Sequence, residues 1–287
     1  MNIPGNILTL NIPGGATLRY LKTGDGPPLV LIHTIRTQLE YFRDAIPLLA
    51  GRYTVYAVDL PGHGYSSIDK KVAYDEPCLR KAIIAFIDTL DLRDVTLVGE
   101  SIGGVLALTT AGTRPDRIKT VIASNPYDYD LRYGDGVRRG NFIANAIIGS
   151  FGIPLVGIIS AHLENKLLLG LVLKGGFHAS ERLPDDLLSE FNRTGRRRGY
   201  RYVERSIFSG WRSWGEARRL YSDIQAPVTL IYGDDDWSRP HERQRTADGI
   251  PRVAVTTLEC TGHFAFLERP QEITDIILQT LESRKSL

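Results

Sequence analysis

The chain predicts an α/β fold built on a mostly parallel sheet. Three observations carry this. Short apolar runs alternate with segments of helical periodicity along most of the chain. The run Pro28-Leu29-Val30-Leu31-Ile32 is nearly continuous, as expected of a strand covered on both faces. The run from Val95 turns through Gly99-Glu100-Ser101-Ile102-Gly103 into a helical segment, a strand–turn–helix with G-x-S-x-G at the bend.

Taken in order, Ile7 to Asn11 and Ala16 to Thr23 read as an antiparallel pair across Pro13-Gly14-Gly15. After the strand at 28–32 come His33-Thr34-Ile35-Arg36-Thr37 and a helix carrying Tyr41, Phe42, Ile46, Leu48 and Leu49. Tyr53 to Val58 is the next strand, followed by Asp59-Leu60-Pro61-Gly62-His63-Gly64. Asp75 to Leu92 is an amphipathic helix with Leu79, Ile83, Ile84, Phe86, Ile87 and Leu90 on its apolar side. The elbow strand and its helix follow, then the strand Ile118 to Ala123.

From about Asn125 to Ile224 no comparable strand occurs. Helical patterns cover Asn141 to Gly149, Leu155 to Leu173, Pro184 to Thr194 and Tyr200 to Ser213. Alternation resumes with a strand at Val228 to Tyr232, the turn Gly233-Asp234-Asp235-Asp236, and a helix around His241 to Ala247. The last strand, Ala254 to Leu258, leads to Thr261-Gly262-His263-Phe264 and a helix from about Pro270.

Composition narrows the function classes. A net charge of +2 is too small to argue for nucleic acid or an anionic membrane as main partner. Two distant cysteines, Cys78 and Cys260, suit a reducing compartment and supply no disulfide framework or metal spacing. The N-terminus lacks the charge and apolar run of a secretory signal, so a cytoplasmic location is expected. The apolar stretch Asn141 to Phe177 is interrupted by Pro154, His162, Glu164, Asn165, Lys166 and Lys174, and falls short of the roughly 18–20 apolar residues of a spanning helix. Two helices separated near Gly152-Ile153-Pro154 are expected there.

Ligands of parallel sheets bind beyond the carboxyl ends of the strands. His33, Ser101, Asp236 and His263 all lie just past such ends. A serine hydroxyl becomes a useful nucleophile when a base takes its proton and a third group orients the base. Of six histidines, His263 is the best-placed base. Asp234, Asp235 and Asp236 compete as the acid; Asp236, farthest along the turn, has room to bend back over the sheet, with Asp235 next. A developing oxyanion needs donors: the backbone N–H of Ile102, after the nucleophile, and that of Ile35 in the loop after the strand at 28–32.

In G-E-S-I-G, D-L-P-G-H-G, the G-D-D-D turn and T-G-H-F, in that order, the chain resembles an α/β-hydrolase-fold protein with a helical cap, over nearly its whole length. The resemblance implies a mostly parallel central sheet of about eight strands flanked by helices, with the cap inserted after the sixth strand. The core would comprise residues 1–124 and 223–287, and the cap residues 125–222. It implies Ser101, Asp236 and His263 as a triad, Ile35 and Ile102 as oxyanion donors, and no metal or organic cofactor. Dehalogenases and epoxide hydrolases of this fold use a carboxylate nucleophile, which Ser101 replaces. The expected activity is hydrolysis of a carboxylic ester of small to medium acyl size. Cleavage of a carbon–carbon bond beside a carbonyl, of a lactone or of an amide is the alternative, and a ligand-binding receptor or scaffold is the reading from another class. The expected partner is a small ester-like molecule, with neither nucleic acid nor stable membrane insertion; a homo-oligomer stays open.

One loop departs from the resemblance. His-Gly is usual after the third strand, and here it is His33-Thr34, a residue that cannot take up a glycine-only conformation cheaply. Arg36 either pairs with Glu40 at the surface or faces the pocket to bind a carboxylate or polarised carbonyl. Trp237 and Phe264 are expected to wall an apolar acyl or aromatic pocket. Ile147, Phe151, Ile153, Leu155 and Ile158 suggest a further apolar lining. His63 is expected to hold its own loop, and Glu100 to hydrogen-bond a neighbouring one. The run Arg193, Arg196, Arg197, Arg198, Arg201 and Arg205 reads as a solvated face because Glu190 and Glu204 interleave with it; the alternative is an entrance for anionic substrates.

Overall fold

The fold is described from a computed structural model, which covers residues 3–132, 134–151 and 165–284. Eight strands form one sheet in the order β1-β2-β4-β3-β5-β6-β7-β8. They are β1 (Asn6–Asn11), β2 (Thr17–Thr23), β3 (Pro28–Ile32), β4 (Thr54–Val58), β5 (Val95–Glu100), β6 (Ile118–Ser124), β7 (Val228–Gly233) and β8 (Val253–Leu258). β1 and β2 pair antiparallel, and so do β2 and β4; every other neighbouring pair is parallel. All six residues of β5 are buried, whereas the edge strand β1 is mostly exposed.

Register brings the strand ends together. Ile32 pairs with Gly99, Glu100 with Ser124, Ser124 with Ile231 and Gly233 with Leu258. The loops that follow these positions therefore emerge along one edge. β4 lies on one side of β3 and β5 on the other, so the chain reverses its direction of travel across the sheet there. Such a switch point opens a crevice where a ligand can sit.

Helices cover the sheet. α1 (Ile46–Ala50), α2 (Glu76–Thr89) and α3 (Ile102–Thr113) come from the first half of the chain. Between β6 and β7 the described residues form only helical elements: α4 (Asp135–Gly140), α5 (Phe142–Phe151), α6 (Lys166–Lys174), α7 (Asp185–Gly195), α8 (Tyr200–Ser209), α9 (Trp211–Glu216) and two 3-10 turns. α10 (Pro240–Asp248), α11 (Ala265–Glu268) and α12 (Pro270–Ser283) complete the chain. No helix among the described residues is long and apolar enough to cross a membrane.

Two local expectations need correction. The single helix through Tyr41 and Leu49 is a 3-10 turn, Leu39–Phe42, followed by the short α1. Pro47 lacks the N–H that an interior helical position supplies, and is tolerated at the start of α1. The helix expected over Tyr200 to Ser213 breaks at Gly210, where the backbone carbonyl of Ser206 ends α8 and α9 begins. α4 carries Gly136 and Gly140 and has no apolar periodicity to reveal it. Of the helix expected over Leu155 to Leu173, only the part from Lys166 lies in the described residues, and the predicted linings Ile153, Leu155 and Ile158 lie outside them, as do the side chains of Ile147 and Phe151.

Candidate active site

Ser101 stands at the bend between β5 and α3 with φ +59 and ψ −122. A non-glycine residue rarely adopts positive φ, and holding it costs on the order of 1–3 kcal/mol. Close packing enforces the bend. A Cβ on Gly99 would lie 2.1 Å from the Gly103 carbonyl oxygen, and one on Gly103 would lie 2.1 Å from that of Ile32. The spacing G-x-S-x-G thus expresses contact between strand, turn and helix.

His263 Nε2 lies 2.9 Å from Ser101 Oγ, and its Nδ1 lies 2.5 Å from Asp236 Oδ1. All three residues are buried. The other oxygen of Asp236 accepts hydrogen bonds from the Ser238 N–H at 3.0 Å and the Ser238 hydroxyl. Burial alone would raise the Asp236 carboxyl; the charge and hydrogen bond of His263 and the Ser238 donors outweigh it and hold it below its usual range. The Trp237 ring stacks on His263 with centroids 4.0 Å apart and planes 17° apart, while its Nε1–H donates to the Gly175 carbonyl at 2.8 Å.

The three consecutive aspartates have separate tasks. Asp234 accepts from the backbone N–H groups of Cys260 (3.0 Å) and Thr261 (2.9 Å), fixing the loop that leads to His263. Asp235 pairs with His178, on the helical segment, and raises its pKa. Asp236 alone reaches His263. Asp234 and Asp235 stay exposed on the turn; the residue preceding α10 is Arg239, whose N–H donates to Glu242.

Two further residues set this geometry: Asn125, whose positioning role the sequence conceals, and Glu100, expected to hydrogen-bond a neighbouring loop. Asn125, at φ +43 just past β6, donates to the carbonyls of His263 (2.9 Å) and Gly262 (3.2 Å) and accepts from the Gly233 N–H (2.9 Å). Glu100 is fully buried. It accepts from Ser124 Oγ at 2.9 Å and the Ala265 N–H at 3.0 Å, and bonds to the Tyr41 hydroxyl. Burial pushes its carboxyl well above the usual range, against the opposing hydrogen bonds from Ser124 and Ala265. Glu100 therefore joins β5, β6, the 3-10 turn after β3 and the start of α11.

Beside Ser101 opens an apolar cavity of about 250 Å³. Ile35, Arg36, Ile102, Trp237 and Phe264 all line it. So do residues that composition alone would not select, among them Tyr127, Asp130, Trp211, Trp214 and Phe208. Tyr127 and Asp130 follow the carboxyl end of β6, and the strand-end rule would have flagged them. Asp130 accepts from the Gly136 N–H at 2.8 Å and the Tyr127 hydroxyl at 3.0 Å, and burial raises it to about 7.

The loop after β3 resolves the question raised by Thr34. Positive φ falls at Arg36 (+68), two residues on. Arg36 does not pair with Glu40, which is bound by Arg19 and by Gln38 Nε2 at 2.8 Å. Its Nε lies 3.4 Å from Glu204, and its guanidinium sits 4.9 Å from the Tyr200 ring centroid. His33 is tied to backbone instead of to the reacting groups: Nδ1 meets the Thr34 carbonyl at 2.7 Å and Nε2 accepts from the Leu60 N–H at 3.0 Å. His63 Nδ1 contacts the Pro61 carbonyl at 3.1 Å within its own loop, and burial takes it down to about 4.

The model of the alpha/beta hydrolase family matches residues 29–276. The chain belongs to the alpha/beta hydrolase family. It is 25% identical to an (E)-2-((N-methylformamido)methylene)succinate hydrolase of Acinetobacter baylyi, over 96% of this chain and 98% of the relative. It is 26% identical to a pimeloyl-[acyl-carrier protein] methyl ester esterase of Aeromonas hydrophila, over 89% of this chain and 96% of the relative. A haloalkane dehalogenase loop variant from Bradyrhizobium elkanii superposes with a TM-score of 0.80 at 21% identity, covering 98% and 97% of the two chains. That likeness concerns the fold.

Proposed function

We propose that this family member is a serine hydrolase that cleaves a carboxylic ester of small to medium acyl size. The observation that supports this most is the continuous chain Asp236–His263–Ser101, ending in a serine held at positive φ beside an apolar cavity. In this reading Ser101 Oγ attacks the ester carbonyl while His263 Nε2 takes its proton. Asp236 fixes the imidazole and stabilises its cation. The N–H groups of Ile102, at the unpaired start of α3, and of Ile35 bind the oxyanion. His263 returns the proton to the departing alcohol, and water attacks the acyl-enzyme by the same route. Trp237 and Phe264 hold the acyl group, and the helical segment between β6 and β7 serves as the cap over it. These steps use only the chain's own groups, and we take the cytoplasm as their place.

Ser101→Ala tests the reading. It should abolish turnover of p-nitrophenyl esters and labelling by a fluorophosphonate. Retained labelling would refute the assignment.

Arg36 in the cavity wall favours a second reading, in which the substrate carries an acid group and the bond cleaved lies between carbons beside a carbonyl. The A. baylyi relative's name specifies a substituted succinate. Comparing an acidic ester with its neutral analogue on Arg36→Met tests the acid-recognition part of this reading: selective loss on the acidic ester supports it, and equal loss on both rejects it.

A further inference from the structure

A second cavity, of about 360 Å³, is lined by Lys70, Arg196, Arg197, Arg198 and Arg201, and Arg36 forms part of its wall as well as of the cavity beside Ser101. No carboxylate lines it among the described residues. The two glutamates that interleave with the basic run do not line this cavity. Glu190 accepts from Tyr65 Oη at 2.8 Å and pairs with Arg193, and Glu204 pairs with Arg36. Arg197 donates to the carbonyl oxygens of Gly64 and, at 2.9 Å, Ser66, which fix its position, and no carboxylate pairs with it among the described residues. Arg193, Arg196, Arg198, Arg201 and Arg205 are exposed, as expected of a solvated face, and Glu190 pairs with Arg193; the cavity that Arg196, Arg198 and Arg201 border nonetheless has no acidic lining among the described residues.

The wall between the cavities is constructed at a cost. Arg36 combines a positive φ with burial to 8% exposure. Its guanidinium passes so close to α7 that a Cβ on Gly195 would lie 1.5 Å from Nη1. Strain and burial of this kind persist where surrounding packing imposes them, and they mark places where a side chain is held for use. Several arginines lining one cavity suit an anion with more than one charge and several acceptor oxygens, which a phosphate group supplies and a single carboxylate does not.

We propose that this basic cavity binds a phosphate group carried at the end of the substrate remote from the cleaved bond, with Arg36 marking the junction between the two subsites. The proposal rests on the serine-hydrolase reading for the reacting end and names the substrate class of that site: phosphorylated esters. The cavity lies against the β4–α2 loop, through the anchoring of Arg197, and so requires that loop and the segment around α7 and α8 to be in place together.

The probe is inorganic pyrophosphate, titrated calorimetrically at low salt into the Ser101→Ala protein with and without Arg196→Gln and Arg198→Gln. Losing two charge-assisted contacts should weaken binding by about tenfold or more. In parallel, kcat/KM is measured on a p-nitrophenyl ester bearing a terminal phosphate and on the matching alcohol, with Ser101 present. The phosphorylated ester should be preferred by about tenfold or more, and the two glutamine substitutions should abolish most of that preference. No pyrophosphate binding, equal affinity in both proteins, or a preference unchanged by the substitutions would overturn the proposal. Ester turnover surviving in Ser101→Ala would instead overturn the nucleophile assignment, since the titration does not depend on hydrolysis.

Discussion

Two neighbouring loop regions at the sheet's edge hold the same kinds of residue and use them differently. Around β3 and β4, His33 binds the Leu60 N–H and the Thr34 carbonyl, and Asp59 accepts from the Leu39 and Tyr65 N–H groups at 2.8 and 2.9 Å. Around β5, β7 and β8, His263 and Asp236 bind each other and Ser101. In the first region both nitrogens of His33 are spent on backbone, and burial with the nearby His63 pushes its pKa well down. In the second, one imidazole nitrogen meets a carboxylate and the other a hydroxyl. A buried histidine is therefore no sign of chemistry by itself; the partner of each ring nitrogen decides.

The largest expected effect separates these regions. Asp236→Asn should lower kcat on p-nitrophenyl esters by about 10³–10⁴-fold with an unchanged circular dichroism spectrum, because the imidazole loses its orienting carboxylate. A fall of less than tenfold would remove Asp236 from the triad and return Asp235 to consideration.

His33→Ala should behave in the opposite manner. Its main effect is on stability, about 1–3 kcal/mol by denaturant titration, because the buried Leu60 N–H loses its acceptor. Its kcat should fall far less than that of His263→Ala. Comparable losses of kcat would dissolve the contrast.

The smallest effect concerns Glu100, which sits beside the nucleophile yet binds loops. Its carboxyl is raised in the folded state, so folding favours the protonated form. That contribution is complete below the unfolded carboxyl's pKa and is lost as pH rises through the raised folded value. Glu100→Gln keeps an acceptor for Ser124 and Ala265 and cannot ionise. The melting temperature of Glu100→Gln relative to the unsubstituted protein should therefore rise as pH increases from about 5 to 9. A constant difference across that range would show that Glu100 does not titrate with unfolding.

Much of this arrangement is legible in the sequence. Strand-forming runs with helices between them, and reacting residue types just after the strands, suffice to place Ser101, Asp236 and His263 at one sheet edge, because parallel register aligns strand ends. The Trp237 and Phe264 walls follow from their positions beside the acid and base. The helical segment was less legible. Its helices meet the core through side chains far apart in sequence, such as Gln38 with Glu190 at 3.2 Å and Tyr74 N–H with Ser206 Oγ at 2.8 Å, and no periodicity encodes such pairings.

The sequence by itself determined the sheet, the bend at Ser101 and the order of the candidate reacting groups, since each depends on local pattern and on the geometry that all parallel sheets share. Only the tertiary structure decided which of three aspartates reaches His263, that Arg36 pairs with Glu204 in place of Glu40, and that Arg196, Arg197, Arg198 and Arg201 share a cavity free of acidic lining among the described residues. Side-chain partners depend on where distant segments cross. A run of arginines reads alike whether or not its interleaved glutamates line the same cavity; here both glutamates are buried, Glu190 paired with Arg193 and Glu204 with Arg36.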